Sequence, residues 1–511
     1  MKNNLLLFLF LCLNYFAGAQ APALQWKKCL GGTGTEYAEC VIPTTDGGYA
    51  IAGWSSSSNG DVAANYGNYD FWVIKTNNAG TITWQKNYGG SKEDRAKSII
   101  QMADGGYAVV GYSTSSDSDV TVNNGGYDIW VIKINSTGTL LWQKSLGGSG
   151  DDFGFTVLED AGGAVVVGGE SQSTDGDISP ATEGCCDSWV VKLNAAGNTI
   201  VWQNRFGGTG GERAKKIIKN AQGDFIVYGI ANSADGDTAN MYLSGEYMLL
   251  KINSAGVSTA FRFWGGSSIE EAADMIPTSD GGYAMIGTTY SNDYDVSGTH
   301  AWQEWWVVKV NASFQLQWQK VLGGYGYDYG MSIAQSPDGN LVVGGYSKSY
   351  DEDFNNNKGL NDIWLAKLGN NGSIIWKKNY GGSGEDFLYS LNVANDGTVT
   401  FVGATNSSDG DVSGNHGGGD VWLTKTGTAT DIEDFTSFDN IILYPNPSTG
   451  TLHFSGITKD NTEIIIYDMQ GRILQSVSGS NKVDVSLLAH GSYIAELKSG
   501  NASVKKRWTK I

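Results

Sequence analysis

Three features of the 511-residue sequence predict an all-β fold built from repeated units. The composition, with 71 glycines, 7 prolines, 12% aromatic and 17% charged residues, indicates many tight turns between short strands. A Gly-Gly pair recurs at a period of 58 residues, which is typical of repeat architectures. Each repeat contains four short strand-like runs, the content of one propeller blade. The sequence therefore predicts a seven-bladed β-propeller followed by a small Ig-like β-sandwich.

The Gly-Gly pairs set the phase of the repeat. Their first glycines are Gly31, Gly89, Gly147, Gly207, Gly265, Gly323 and Gly381. A tryptophan stands five residues before six of these glycines, and Ala260 takes its place at the fifth junction. Seven copies of the pair predict seven blades.

The first repeat shows how one blade is built. Its strands are expected at Ala38–Pro43, Tyr49–Trp54, Asp70–Lys75 and Thr81–Asn87. Between the first two strands, Asp46-Gly47-Gly48 supplies the positive φ of a tight hairpin. The third strands carry a bulky residue that is predicted to fill the space between blades: Trp72, Trp130, Trp189, Met248, Trp306, Trp364 and Trp422.

Closure of the ring follows from where the repeat starts and stops. The last repeat ends at its third strand, Asp420–Lys425, whereas the chain begins with a fourth-type strand around Trp26. We expect the N-terminal strand to complete blade seven, because an unpaired strand edge invites aggregation. The predicted propeller spans residues 20–426.

The N-terminus has the pattern of a signal peptide. Lys2 precedes the apolar run Leu5–Leu13, and Ala17-Gly18-Ala19 offers a cleavage site that leaves Gln20 first. Residues 1–19 are therefore predicted to be removed on export. The apolar run is too short to span a bilayer, and no later segment is longer, so no transmembrane segment is expected after cleavage.

Charge and cysteine content narrow the partners and the compartment. The formal net charge of −19 argues against nucleic acid and anionic membranes, since binding phosphates needs clustered Lys and Arg. Four cysteines remain after cleavage and allow three pairings. In an oxidising compartment we expect a Cys29–Cys40 disulfide and a vicinal Cys185–Cys186 disulfide.

Two sets of carboxylates recur in loops that should emerge on one face of the propeller, which would make that face acidic. The first set lies five residues after each first glycine: Glu36, Asp94, Asp152, Glu212, Glu270, Asp328 and Asp386. The second set, mostly the latter half of an Asp-x-Asp pair, lies in the long loop between strands two and three: Asp61, Asp119, Asp177, Asp237, Asp295, Asp353 and Asp411.

These carboxylates have two interpretations. In the structural one, each accepts N–H bonds at its own turn or pairs with a recurrent strand lysine such as Lys75. In the other, the Asp-x-Asp aspartates bind calcium, which prefers hard oxygen ligands. The structural interpretation is favoured, because one ligand would use only some of the blades.

The sequence contains no recognisable catalytic constellation, and the protein is predicted not to be an enzyme. The four histidines lack the nearby ligands of a zinc site and the partner residues of a Ser-His-Asp triad. His300 and His416 are expected in solvated loops. Paired carboxylates could support glycoside hydrolysis, but they recur symmetrically here. The differences between blades are candidates for binding: 302–305, Tyr325 with Tyr327, and Cys185-Cys186.

A linker is predicted at 427–440 and a second domain at 441–511. Strand-like runs at Glu463–Tyr467, Lys482–Val485 and Ser492–Leu497 favour a small sandwich. Its motifs are Leu443-Tyr444-Pro445-Asn446-Pro447 with Gly450, Ile466-Tyr467-Asp468-Met469-Gln470-Gly471-Arg472, Gly491-Ser492-Tyr493 and Lys505-Lys506-Arg507. The segment resembles the type IX secretion C-terminal sorting domain of Bacteroidota.

This resemblance implies export through the type IX secretion machinery, removal of the domain, and either release or attachment at the outer-membrane surface. It says nothing about the ligand of the propeller. The sequence as a whole predicts a secreted or cell-surface binding module for a glycan or protein. The alternatives are a polysaccharide-degrading hydrolase or lyase and a purely structural or adhesive surface protein.

Overall fold

The structure is a computed structural model. It describes residues 21–179, 186–238, 245–300, 303–428, 442–455, 462–469, 472–499 and 502–511. The predicted signal peptide, Cys185 and most of the predicted linker lie outside these residues. The described chain divides into a compact unit, Ala23–Thr428, and a C-terminal unit. No helix in the described ranges is long and apolar enough to cross a membrane.

The unit Ala23–Thr428 consists of four-stranded antiparallel sheets, seven of them within the described residues. The first strands of these sheets are β2 (Glu36–Pro43), β6 (Asp94–Gln101), β10 (Asp152–Asp160), β14 (Arg213–Lys219), β18 (Glu270–Pro277), β22 (Asp328–Gln335) and β26 (Asp386–Val393). The second strands are β3 (Tyr49–Ser55), β7 (Tyr107–Ser113), β11 (Ala164–Ser171), β15 (Phe225–Ala231), β19 (Tyr283–Thr289), β23 (Leu341–Ser347) and β27 (Val399–Thr405).

The third and fourth strands complete each sheet. The third strands are β4 (Asp70–Thr76), β8 (Asp128–Ile134), β12 (Asp187–Leu193), β16 (Glu246–Ile252), β20 (Glu304–Val310), β24 (Asp362–Leu368) and β28 (Asp420–Thr426). The fourth strands are β5 (Ile82–Tyr88), β9 (Leu140–Leu146), β13 (Ile200–Phe206), β17 (Ser258–Trp264), β21 (Leu316–Leu322) and β25 (Ile374–Tyr380), with β1 (Leu24–Leu30) serving the last sheet.

The N-terminal strand pairs with the last third strand, as the phase of the repeat predicts. β1 runs antiparallel to β28, with Trp26 opposite Lys425 and Leu30 opposite Val421. Leu30 is buried in a core cluster with Trp72 of the first sheet and Leu423 of the last. The two ends of the unit are thus joined both by a ladder and by a shared core.

The recurrent third-strand tryptophans pack between consecutive sheets. Trp130 is fully buried and contacts Phe71 of the preceding sheet, with ring centroids 4.6 Å apart. Trp306 contacts Tyr247 in the same way at 4.6 Å. The indole of Trp130 donates to Gln143 on the neighbouring fourth strand, so its polar atom is satisfied inside the core. This confirms the predicted role of the bulky third-strand position.

Hydrogen bonds link first strands of neighbouring sheets. In each, a backbone N–H of one strand donates to a side-chain hydroxyl oxygen of the strand before it. Leu391 N–H donates to Ser332 Oγ at 3.1 Å, and Ile217 N–H donates to Thr156 Oγ1 at 3.3 Å. The same bond joins the last strand to the first, since Val41 N–H donates to Ser390 Oγ at 3.1 Å. These bonds help to hold the joined strands in register.

The C-terminal unit contains two antiparallel sheets. One consists of β29 (Ile442–Tyr444), β30 (Thr451–Ser455) and β33 (Lys482–Asp484). The other consists of β31 (Thr462–Tyr467), β32 (Ile473–Ser478), β34 (Gly491–Ser499) and β35 (Ala502–Lys510). Leu452 and Phe454 of the first sheet share a buried cluster with Ile464 and Trp508 of the second, so the unit is a small sandwich.

The predicted Cys29–Cys40 disulfide is wrong, because both thiols are free. Cys29 lies on the outermost strand of the last sheet, opposite Trp422, whereas Cys40 lies on the first strand of the first sheet. The Cys40 thiol contacts the carbonyl oxygen of Ile99 at 3.9 Å in the next sheet. Closeness in sequence misled here, because the chain crosses from one sheet to another between the two cysteines. The vicinal Cys185–Cys186 bridge stays a prediction.

Candidate functional site

Each Gly-Gly loop is held by the long loop of its own repeat, so the two loops share one face of the unit as expected. Thr33 N–H donates to Asn59 Oδ1 at 2.9 Å, and Gly34 N–H donates to Ser57 Oγ at 2.7 Å. The residue two positions after Asn59 completes the junction, with Asp61 N–H donating to Gly31 O at 2.8 Å. Equivalent bonds occur in all seven described junctions.

The Asp-x-Asp aspartates are part of this junction. The Asp119 carboxylate accepts the Gly89 N–H at 3.3 Å, and Asp411 accepts the Gly381 N–H at 3.2 Å. Asp353 pairs instead with Lys377 at 3.0 Å. Six of the seven are half-buried, and Asp237 is exposed. They hold their own turns, as the structural interpretation predicts.

The carboxylates that follow the Gly-Gly pairs do not form an acidic surface, contrary to expectation. All seven are buried, and they accept bonds inside the junction. Asp94, for example, accepts from Gly90 N–H at 2.7 Å and from the hydroxyls of Ser113 and Ser115. The recurrent strand lysines do not reach these groups. They pair with hairpin aspartates, as Lys75 does with Asp46 at 2.9 Å and Lys309 with Asp280 at 2.8 Å.

A third recurrent carboxylate was not recognised as a set from the sequence. It opens each third strand and is buried in every copy: Asp70, Asp128, Asp187, Glu246, Glu304, Asp362 and Asp420. One oxygen accepts a backbone N–H four residues earlier, as in Asn124 to Asp128 at 2.7 Å. The other oxygen of Asp128 has no hydrogen-bond partner within the described chain. The signal was present in the sequence as the constant acidic start of the third strand.

The junctions thereby place two buried carboxylates against one glycine. A Cβ on Gly89 would lie 2.6 Å from both Asp70 Oδ1 and Asp94 Oδ2, which explains why this position is glycine in every repeat. Burial, with added repulsion from Asp94 and Asp119, raises the pKa of Asp70 to about 7. Burial and the neighbouring Glu304 likewise raise the pKa of Asp328 to about 7. These carboxyl groups are therefore partly protonated near neutral pH.

Two histidines are exposed in their loops, as expected, and they also contact this network. His300 Nδ1 lies 2.8 Å from Glu304 Oε1, and His416 Nδ1 lies 2.7 Å from Asp420 Oδ2. The two pairs occupy the same position in the fifth and seventh repeats. Each histidine also donates its backbone N–H to the same carboxylate. They are extra caps on the third-strand acid.

The calcium interpretation gains no support from this geometry. In the ranges that the structure describes, no three His, Cys, Asp or Glu side chains are grouped so that they could hold a metal ion. The oxygens of Asp119 and Asp411 already accept backbone N–H groups of their own junctions. Calcium at the seven Asp-x-Asp sites stays a prediction.

A β-bulge interrupts every first strand at the same place. In the first sheet, Ala38 pairs with Gly53 and Cys40 pairs with Ala52, so that Glu39 has no partner. The shift recurs in the other six sheets. A bulge re-aims a side chain and is often found beside a functional site. The bulge residues are Glu39, Lys97, Phe155, Lys215, Ala273, Met331 and Tyr389.

All seven bulge residues line one cavity of about 260 Å³. Glu271, Thr288, Tyr329 and Gly330 contribute to the same lining. The lining thus receives a residue from the first strand of each sheet. Unlike the junctions, it varies from sheet to sheet: two lysines, one glutamate, two aromatic residues, one methionine and one alanine stand at equivalent positions.

Most of the charges around the cavity are paired. Lys97 pairs with Glu39 at 2.5 Å, and Lys216, one residue beyond a bulge, pairs with Asp274 at 2.9 Å. Lys215 differs, since its Nζ lies 3.9 Å from the ring centroid of Phe155 and no carboxylate of the described chain lies within ion-pair distance. Burial, with repulsion from Arg213, lowers the pKa of Lys215 to about 8.

An aromatic rim surrounds part of this region. Tyr37 stacks on Trp54 with centroids 4.5 Å apart, and Arg95 lies over the Trp54 ring at 4.5 Å. In the sixth repeat, Tyr329 stacks on Tyr346 at 4.9 Å. Tyr389 lies between the two pairs, 6.0 Å from Tyr37 and 6.4 Å from Tyr346. Repeats one and six supply these two pairs, so the rim is asymmetric like the cavity.

The blade-specific residues that the sequence singled out lie elsewhere. Tyr325 and Tyr327 are 68% and 58% exposed in the loop that enters the sixth sheet. Glu304 and Trp305 are buried structural residues of β20, and Trp302 lies outside the described residues. The recurring sequence patterns do not reveal the cavity, because its lining residues vary between repeats. Its signal was one variable position, eight residues after each first glycine, that follows an alanine or glycine in six of the seven repeats.

The sorting motif forms a connected surface in the C-terminal unit. Asn446 Oδ1 accepts the Thr509 N–H at 3.0 Å, which ties the Tyr-Pro-Asn-Pro segment to the last strand. Tyr444 is exposed and stacks on His453, while Gly450 accepts at its carbonyl from Val485 N–H. Pro445 and Pro447 both follow cis peptide bonds.

The later motif residues lie on the second sheet of this unit. Gly491 pairs with Lys510 at the end of β34, and the buried Tyr493 stacks on Trp508 with centroids 5.2 Å apart. Lys505 and Lys506 lie on β35 opposite Glu496 and Ala495. Gly471 lies outside the described residues. The first and last motifs of the sequence are thus brought together, at the point where Asn446 meets β35.

Comparison with solved structures returns distant propeller-like proteins. BamB from Moraxella catarrhalis shows 14% identity and a TM-score of 0.37 over 79% of this chain and 100% of that one. The Neurospora crassa Pan2 WD40 domain shows 8% identity and a TM-score of 0.44 over 80% and 97%. A puromycin hydrolase shows 11% identity and a TM-score of 0.42 over 76% and 53%. No curated protein matches the chain.

The C-terminal region has a clear relative among protein families. Residues 442–510 match the family described as a secretion system C-terminal sorting domain. The match covers the motifs from Tyr444 to Lys506 and confirms the resemblance that the sequence shows. The chain therefore carries a type IX secretion C-terminal sorting domain and is a secreted or cell-surface protein.

Proposed function

We propose that this chain is a secreted or cell-surface binding module whose β-propeller takes a glycan or protein ligand at its central cavity. The observation that carries the proposal is the contrast at the bulges. Seven equivalent backbone positions aim side chains of six residue types into one space. A purely structural centre would repeat one solution, as the junctions do.

We propose further that the propeller is a closed ring of seven blades. Three contacts support closure: the β1–β28 ladder, the core shared by Leu30 and Trp72, and the Val41 to Ser390 hydrogen bond between the first and last blades. Closure by β1 pairs the edge of β28 that would otherwise be exposed. It also explains how one cavity can receive a residue from every blade.

Binding, rather than catalysis, is the role that the cavity chemistry favours. The neighbouring acid and base side chains Glu39 and Lys97 are paired with each other. The aromatic residues Phe155 and Tyr389 and the apolar Met331 offer contact area of the kind that ligand pockets use. A hydrolase would be revealed by new reducing ends when the protein digests a polysaccharide.

The test compares two surfaces of the secreted protein. Retention on immobilised polysaccharides and surface proteins is measured for the native chain, for a cavity double variant, Phe155→Ala with Tyr389→Ala, and for a loop double variant, Tyr325→Ala with Tyr327→Ala. Truncating two contacting aromatic residues should weaken binding by about 30-fold or more. The loop variant should bind within about twofold of the native chain, because its rings lie outside the cavity.

The outcomes separate the site from the function. Loss of retention only in the loop variant would move the site to the exposed tyrosines and overturn the cavity assignment. No retention of the native chain on any surface would favour a structural role instead. Melting curves of both variants establish that each one is folded.

A further inference from the structure

Lys215 is the least satisfied charge in the cavity. The described part of the chain places no carboxylate at ion-pair distance from its Nζ and provides no hydrogen-bond acceptor for it. Its neighbour Arg213 is already paired with Glu170. Lys215 is half-buried at the wall of the cavity, and a partly desolvated cation without a partner is costly, so this lysine is available to an anion from outside.

Burial acts against the charged form of Lys215, and the Phe155 ring 3.9 Å away compensates only in part. A bound anion would restore the charge-assisted bonds that the empty cavity lacks. The overall charge of −19 would repel an anion from most of the surface. An anionic ligand must therefore gain its affinity from a local partner such as this one.

The rest of the lining describes the remainder of the ligand. Glu271 is exposed to the cavity and has no ion-pair partner within the described chain, so it can accept hydrogen bonds from hydroxyl groups. Tyr329 and Tyr389 present aromatic surface in the same space. A carboxylate, several hydroxyl groups and one ring face are the features of a uronic acid.

We propose that the central cavity binds a uronate residue of an acidic polysaccharide, with its carboxylate on the Lys215 ammonium group and its hydroxyl groups on Glu271. The proposal rests on the proposed binding function and names its ligand class. A volume of about 260 Å³ lies just below the range of about 300–1,000 Å³ that accommodates drug-sized molecules. The cavity therefore suits one sugar residue, and the rest of the polymer would lie along the aromatic rim.

The experiment compares an ionised oligosaccharide with its uncharged methyl ester, and a monosaccharide with the oligosaccharide. Binding of tetragalacturonate to the secreted protein is compared with binding of its methyl ester, with galacturonate as the single-residue probe. The tetramer should bind at least as tightly as the monomer. Lys215→Met should weaken tetragalacturonate binding by at least about tenfold, because a charge-assisted bond is lost. The control Lys86→Met, at an exposed lysine of β5, should leave binding unchanged.

A second readout does not depend on any variant. Acetic anhydride at pH 8 should acetylate Lys215 of the native protein, and mass spectrometry can locate the modified residue. Tetragalacturonate should protect Lys215 from acetylation, whereas the methyl ester should not. Equal protection by both, or binding that survives Lys215→Met, would overturn the proposal.

The failure of this proposal differs from failure of the binding function. If the native protein is retained on neutral glycans or on proteins but does not bind tetragalacturonate, the uronate proposal is overturned and the proposed binding function stands. If the protein binds galacturonate but not tetragalacturonate, the ligand is a free sugar acid and not a residue of a polysaccharide. No retention of the native protein on any probe removes both proposals.

Discussion

The junctions between sheets and the centre of the propeller follow opposite rules. Each junction repeats one solution, in which a Gly-Gly pair, two buried carboxylates and an Asp-x-Asp loop hold each other. In the cavity, the bulges keep the backbone constant while the side chains vary, and only lysine occurs twice. Recurrence of a residue within this chain thus marks what the fold needs. Variation of the side chain at a constant backbone position marks the site where we propose that a ligand binds.

The two regions also differ in how they treat charge. Carboxylates such as Asp70 and Asp94 are forced together at a junction, and burial raises the pKa of both. In the cavity, by contrast, Lys97 and Glu39 neutralise each other, and Lys215 has no carboxylate partner within the described chain. The junctions are thus expected to respond to pH, whereas the cavity is where we propose that an anionic ligand binds.

The largest effect is expected from breaking the junction between the first and last sheets. Deletion of residues 20–30 removes the ladder to β28 and the contacts of Trp26 and Leu30 in the shared core. We expect the melting temperature to fall by at least about 10 °C, since several kcal/mol of apolar burial are lost. Differential scanning calorimetry measures the change. Deletion of residues 20–22 alone, which leaves β1 intact, is the control, and equal melting of both would contradict ring closure.

A single methyl group should disturb one junction. In Gly147→Ala the new Cβ would lie 2.6 Å from Asp128 Oδ1 and Asp152 Oδ2, so the carboxylates must move. We expect the free energy of unfolding to fall by about 1–3 kcal/mol, as for other overpacked sites. In the matched control Gly427→Ala, the nearest atom lies 3.7 Å away, and stability should change little. Denaturant titration measures both. A tolerated Gly147→Ala would show that the junction is looser than this geometry.

The next prediction concerns pH and the partly protonated junction carboxylates. The pKa of Asp70 is about 7 in the folded chain and near 3.8 when unfolded, so the folded state binds more protons between these values. Stability should therefore fall as pH rises from 5 to 8. Asp70→Asn should remove on the order of 1–3 kcal/mol of this fall. Thermal melts across the pH range measure it.

The control for that prediction is an aspartate whose pKa is lowered instead of raised. Bonds from Lys133 and Gly106 hold the pKa of Asp104 below its usual range, so it stays ionised throughout pH 5–8. Asp104→Asn should lower stability by a constant amount across this window and leave the slope unchanged. If Asp70→Asn and Asp104→Asn give the same slope, the junction carboxylates are not the source of the pH dependence.

Much of the fold could be predicted from the sequence, because the repeat reports it seven times. The Gly-Gly phase, the third-strand tryptophans and the place of β1 all follow from recurrence. Other features depend on contacts that no local pattern encodes. Cys29 and Cys40 are eleven residues apart yet lie in different sheets, and the acid at Asp70 needed the fold to reveal its neighbour Asp94. The bulge at Glu39 is a register effect, visible only once strands are paired.

The smallest effect is expected at the Asp-x-Asp loops, where the calcium hypothesis can be settled. Asp119 already accepts the Gly89 N–H, so the melting temperature should be the same in EDTA and in millimolar calcium, and Asp119→Asn should cost about 0.5–1.5 kcal/mol in both. A calcium effect would require Asp119 to move together with Asp70 and Asp94 around Gly89, since they are not grouped as a metal site in the described chain. In that case calcium would raise the melting temperature most at pH 8, where these groups are ionised, and Asp70→Asn would abolish the increase. Melts at pH 5 and pH 8 with and without calcium therefore decide whether protons alone, or a cation as well, neutralise the junctions.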